Sequence, residues 1–98
     1  MRVLFVAEAA AEARDAKRWY EAQLSGLGLA FARALEAAVD SAKRNPLAFP
    51  AVDSGCRRLL LRRFPYSLVY RADETTLLVV AVFHHKRKPA PASKRIGR

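Results

Sequence analysis

The chain has little of several things. It holds one cysteine, Cys56, two histidines, four glycines and nine acidic residues among 98. A lone cysteine excludes an intramolecular disulfide and a cysteine-rich zinc site. No apolar run approaches the ~18 residues a membrane-spanning helix needs. The stretch from Met1 to Ala7 is too short, and too soon followed by Glu8, to read as a secretory signal. A cytoplasmic protein, away from membranes and without cofactor or metal, is therefore expected. No internal repeat is present.

The shortage of acid is local. Residues 1–54 hold seven basic and seven acidic residues, whereas residues 55–98 hold eleven basic residues against only Asp73 and Glu74. The whole net charge of +9 thus lies in the second half. Such asymmetry suggests a nucleic-acid or acidic-protein partner. With 52% hydrophobic residues the chain should fold, and its length suits a single domain over 1–98.

Val3-Leu4-Phe5-Val6 is long enough for one buried strand. Residues 8–24 read as a helix, with Ala9, Ala13, Ala16, Tyr20 and Leu24 on one apolar stripe. Ser25-Gly26-Leu27-Gly28 breaks the pattern and predicts a hairpin turn. A second helix follows over 29–44, burying Phe31, Leu35, Ala38 and Ala42, and Asn45-Pro46 stops it. From Arg57 the period becomes extended. Strands are predicted over Arg57–Arg63, Tyr66–Ala72 and Thr75–Phe83, with turns at Phe64-Pro65 and Asp73-Glu74. Residues 86–98, with Pro89 and Pro91, read as a basic, flexible tail. The fold class is α+β: an N-terminal strand, a two-helix hairpin, then a three-stranded antiparallel meander forming one sheet.

These segments, in this order, resemble the RelE/ParE family of bacterial toxins from type II toxin–antitoxin systems. The resemblance is carried by Trp19-Tyr20-Glu21, Gly26-Leu27-Gly28, Phe31 and Leu35, then Asn45-Pro46-Leu47-Ala48-Phe49-Pro50. It continues through Arg57-Arg58, the run from Arg62 to Arg71, and Ala81-Val82-Phe83-His84 with Arg87 and Pro89. The chain departs at its end: Lys88 stands where relatives commonly have an acidic residue, and no aromatic follows Pro89. The resemblance implies a cognate antitoxin as partner and one of two targets. ParE-like members inhibit DNA gyrase and are not known as nucleases; RelE-like members cleave mRNA in the ribosome. The hairpin and Phe64-Pro65-Tyr66 look closer to the ParE-like branch.

Metal-free RNA cleavage needs a base, an acid and cations on the phosphate. If the chain were RelE-like, His84 or His85 would transfer protons, Arg58 and Arg87 would hold phosphate, and Tyr70 would supply a hydroxyl. Adjacent residues of a strand point to opposite faces, so one site takes at most one of the two histidines. Arg57, Arg58, Arg62, Arg63, Arg71, Lys86 and Arg87 form the expected binding surface, for an antitoxin or a target. The plainer readings are a solvated arginine face, packing roles for Tyr66 and Tyr70, and Trp19 packed within the helix hairpin. A basic nucleic-acid-binding domain with no toxin role is the further alternative.

Overall fold

The computed structural model describes residues 1–87 and 91–96. Strand β1 (Arg2–Phe5) leads into helices α1 (Ala7–Gln23) and α2 (Leu27–Arg44), and a single 3-10 turn at Asp53–Gly55 precedes the meander. Strands β2 (Arg57–Leu60), β3 (Tyr66–Ala72) and β4 (Thr76–His84) follow, with a one-turn helix, α3 (Ala92–Arg95), after them. The meander is antiparallel, as its short connections require. The sheet as a whole is mixed. Its order is β1-β4-β3-β2, and β1 runs parallel to β4. The long hairpin carries the chain from β1 across the sheet to β2 at the opposite edge, and the meander then brings β4 back beside β1 and parallel to it. It also makes β4 an internal strand, which suits the most apolar run of the chain.

Both helices lie on one face of the sheet. Alpha-2 buries Phe31, Leu35, Ala38, Val39 and Ala42 at helical spacing, and Lys43 and Arg44 complete its last turn as the helix dipole favours. Alpha-1 buries only Ala9 and Ala16 fully. Small side chains there let its backbone approach the sheet. Leu24, expected on that stripe, is exposed, because the helix ends at Gln23 and the chain turns extended at residue 24.

The glycine-rich break is more specific than a breaker signal suggests. Gly26 adopts φ 92°, a left-handed conformation that glycine takes without strain. Gly28 is not part of the break: it lies in the first turn of α2, where a Cβ would stand 2.8 Å from the Lys17 carbonyl oxygen. The two helices can cross this closely only because residue 28 has no side chain. The Glu21 carboxylate accepts the N–H groups of Gly26 at 3.1 Å and Gly28 at 3.0 Å, satisfying donors that a helix start leaves open. Those two backbone bonds hold the Glu21 carboxyl below its ordinary range.

Under the hairpin, Tyr20 stacks on Phe31 with ring centres 5.4 Å apart and meets Phe64 edge-on at 4.8 Å. Tyr66 meets Phe31 edge-on at 5.0 Å. These offset and T-shaped arrangements are the favourable ones for aromatic rings. Phe64 is thus a core residue rather than part of an exposed turn. Strand β2 is correspondingly shorter than the predicted Arg57–Arg63. The chain leaves it at Leu61, passes through Arg63 at φ 72°, and is tied by Leu61 N–H to the Tyr66 carbonyl and Tyr66 N–H to the Phe64 carbonyl.

Among the described residues the opposite face of the sheet carries no long helix. A smaller apolar cluster of Cys56, Val69, Val80, Ala81, Phe83 and Ala92 covers it. A bulge shapes this face: Val69 pairs with Ala81 and Tyr70 with Val79, so Val80 is an extra residue on β4. Beyond the end of β1, β4 has free backbone groups on its outer edge. The Glu12 carboxylate accepts the Val82 N–H at 3.0 Å, and Arg95 Nη1 donates to the Val80 carbonyl at 3.0 Å. Arg95 and Glu12 also form a two-pronged ion pair at 2.7 and 2.9 Å. A charge pair therefore finishes the ladder where the strand partner stops. The tail reading for 86–98 falls partly on 88–90 and 97–98, outside the described residues. Within it, α3 is tied to the body through Arg95.

Candidate functional site

Two cavities flank the end of β4. The one on the open face has a volume of about 530 Å³ and is lined by Arg58, His85, Arg87, Arg95 and Asp53 over a floor that includes Val69, Ala81 and Phe83. The other, about 550 Å³, lies between β4 and α1 and is lined by Glu12, Asp15, Trp19, Tyr66 and His84. Arg87 borders both.

Strand alternation separates the two histidines. His84 faces the helices, its ring 5.2 Å from Tyr66 and edge-on to it. Its Nδ1 accepts the Lys86 N–H at 3.0 Å, so in the neutral ring the proton sits on Nε2. His85 turns toward the open-face cavity, and its own N–H is held by the Pro65 carbonyl at 2.8 Å. Tyr70 is elsewhere. It is 1% exposed, and its hydroxyl donates to the Pro46 carbonyl at 2.6 Å, pinning the loop after α2 to the sheet. Burial pushes its phenol above the ordinary tyrosine value, with Arg57 acting the other way. The five residues considered for nuclease chemistry therefore converge only in part. Arg58, His85 and Arg87 share the open face, His84 lies on the helix side, and Tyr70 is enclosed in the core.

The seven expected surface cations are spread as well. Arg57 Nη1 donates to the Phe49 carbonyl at 2.8 Å on the helix side. Arg58 lies on the open face, its Nε donating to Ser67 Oγ at 2.9 Å and its guanidinium 5.6 Å from the centre of the Phe83 ring. Arg62 borders α2, and Arg63 lies at the β2–β3 loop with its guanidinium 6.0 Å from the Phe64 ring centre. Arg71 reaches past Gly55 toward Cys56, and Lys86 follows β4. Trp19 is 58% exposed, not packed within the hairpin as expected; it touches Tyr20 edge-on and borders the helix-side cavity. Cys56 is fully buried, and burial pushes its thiol up, as for an unreactive cysteine.

Sequence reasoning missed Ser67, the Glu12–Arg95 pair and the exposed Leu60. Ser67 is fully buried, and a polar group sealed inside a strand needs a partner, a fact of packing that no local pattern reports. The Glu12–Arg95 pair joins residues 83 positions apart, which no local pattern reports.

The fold, a two-helix hairpin on one face of a small mixed sheet, is that of the RelE/ParE-like toxins. The family described as "ParE toxin of type II toxin-antitoxin system, parDE" matches residues 3–89, so the chain belongs to the ParE toxin family. Among solved structures it is similar to a chain of a "Chromosomal ParDE TA system from P. aeruginosa". That likeness has a TM-score of 0.61 at 19% identity and covers 86% of this chain and 95% of the other. No curated protein matches it. Among the described residues no helix is long and apolar enough to cross a membrane.

Proposed function

We propose that this toxin inhibits DNA gyrase by binding it, in the cytoplasm, and that a cognate antitoxin holds it inactive. The observation that carries the reading is that the expected proton-transfer groups are split, His85 alone lying with Arg58 and Arg87 on the open face. His84 and Tyr70 are committed to packing and to hydrogen bonds on the helix side, away from Arg58. An acyl- or phosphoryl-transfer site needs its acid, base and charge-stabilising groups around one reacting atom. A protein that acts as an inhibitor needs a surface instead. Membership of the ParE family supports the same choice, and the ParDE neighbour supports an antitoxin partner. The test is a supercoiling assay with purified gyrase. Inhibition with accumulation of cleaved DNA is expected, relieved by the product of the neighbouring antitoxin reading frame. Undisturbed supercoiling at saturating toxin, together with codon-positioned cuts in mRNA from induced cells, would replace this reading with the RelE-like one.

A further inference from the structure

The two edges of the sheet are finished differently. At the β2 edge the chain just before the strand covers the backbone: Ala51 bridges to Arg57, and the Arg58 N–H donates to the Pro50 carbonyl at 3.0 Å. Arg57 and Arg58 add charge there, as edge strands that resist association do. The β1 edge has no such cover among the described residues. Arg2 and Val6 donate their N–H groups inward, to the Thr75 and Val79 carbonyls. By strand alternation Val3 and Phe5 turn theirs outward, where no described residue accepts them. The strand is also apolar on both faces, with Leu4 42% and Phe5 37% exposed. Beside it on the helix side lies a cavity of about 330 Å³ whose apolar wall includes Val3, Phe5, Leu35 and Val39. Arg14 and Lys17 of α1, and Glu36, Asp40 and Lys43 of α2, line the same cavity, and among the described residues none of the five is in an ion pair.

We propose that β1 pairs with β1 of a second copy of this chain, joining two four-stranded sheets edge to edge. Charge selects this occupant. An acidic segment would be drawn to Arg14 and Lys17 but repelled by Glu36 and Asp40, and a basic segment the reverse. A second copy brings both signs. Residues 1–54 are neutral overall, and the sheet order sets Arg57 and Arg58 at the far edge, so pairing along β1 keeps these arginines of the two copies apart. An antiparallel pair centred on Leu4 places Val3 of each copy opposite Phe5 of the other, and the outward groups of the two residues exchange both backbone hydrogen bonds. On the helix side Phe5 then meets Val3 of the second copy, an aromatic and β-branched pair, while the two Leu4 side chains meet on the other face. Such a contact is self-complementary and closes at two copies. The proposal does not rest on the gyrase reading.

The experiment is sedimentation equilibrium of the full chain, free of antitoxin, over a concentration series, with amide hydrogen exchange on the same samples. A monomer–dimer equilibrium is expected, with exchange at the Val3 and Phe5 amides slowing as concentration rises and exchange at Leu4, already inside the sheet, following it much less. Leu4→Lys sets two like charges opposite each other at the centre of the pair and should weaken dimerisation on the order of tenfold or more. Leu60→Lys, an equally exposed change at the other edge, should leave it unchanged. Should Leu4→Lys fail to fold, the concentration dependence of the Val3 and Phe5 amides in the unaltered chain answers the same question. A monomer at every concentration up to about 1 mM overturns the proposal, since pairing weaker than that is no specific association. A dimer that Leu4→Lys leaves intact overturns it as well. So does protection of the Val3 and Phe5 amides that appears only when the antitoxin is added, which would make an antitoxin strand the occupant of this edge.

Discussion

The helix-covered face of the sheet holds Tyr20, Phe31, Phe64, Leu68, Tyr70 and Val82 in one continuous core, whereas the open face holds a small cluster around Val80 and Phe83 beside Arg58 and Ser67. The first is closed by two long helices. Among the described residues the second is covered by a single turn of helix and the 3-10 turn, and it keeps a cavity. The residues that make the chain recognisable belong mostly to the first face. Tyr20 and Phe64 lock the hairpin to the β2–β3 loop, Glu21 caps α2 across Gly26 and Gly28, and Pro46 receives the Tyr70 hydroxyl. Family likeness here reports how the fold is built. The open face, where a ligand can reach charged groups, contributes the smaller share of those marks, among them Arg58, Ser67, Phe83 and Arg87.

The comparison can be broken first by stability. Phe31→Ala removes a fully buried ring and should cost about 3–5 kcal/mol in chemical denaturation. Leu60→Ala, at a position 59% exposed, should stay within about 0.5 kcal/mol. Similar losses at both positions would show that the two faces do not differ in the way described.

Next comes the helix crossing. Gly28→Ala places a methyl group 2.8 Å from a backbone oxygen that cannot rotate away. The helices must separate, and a loss of about 1–3 kcal/mol is expected, read as a lower midpoint in denaturant. Unchanged stability would mean that the close approach is not required.

Tyr70→Phe deletes one hydroxyl from the core and leaves the Pro46 carbonyl without its partner, for an expected loss of about 1–2 kcal/mol. The backbone fold should persist, and any inhibitory activity should survive, because this hydroxyl has no catalytic role in the account.

The smallest effect is that of acid. Glu21 is held low first by the Gly26 N–H and then by Gly28, and Asp73 first by the N–H of Thr75 and then of Thr76. A carboxylate with a depressed folded value contributes stability that is present above its unfolded value and lost as pH falls through the folded one. Melting temperature should therefore fall on acidification through and below the ordinary carboxylate range. Glu21→Gln should remove part of that acid dependence while leaving the curve above neutral pH nearly parallel.

Much of the fold was legible because period and punctuation are local. Beta-3 matches its predicted span, β4 is shifted by one residue at each end, and the two helices sit within two residues of their expected starts and ends. The parallel pairing of β1 was not legible, since nothing in Val3-Leu4-Phe5-Val6 states which strand it joins. Phe64 read as a turn residue because Pro65 follows it, yet the left-handed Arg63 aims its ring inward. The site was less legible still. Alternation correctly separates His84 from His85, but it does not say which face the helices cover. Arg58 is one of several arginines in the sequence; only the three-dimensional contact with buried Ser67 distinguishes it.

The central claim is that this ParE-family toxin acts as a binding inhibitor and uses no imidazole chemistry. The most direct measurement is gyrase supercoiling, with cleaved DNA monitored, in the presence of wild-type toxin or the folded His84→Ala/His85→Ala double variant. The account predicts inhibition by both, at the same toxin concentration within experimental scatter. Inhibition by wild type that disappears in the double variant, with its melting curve intact, would contradict it.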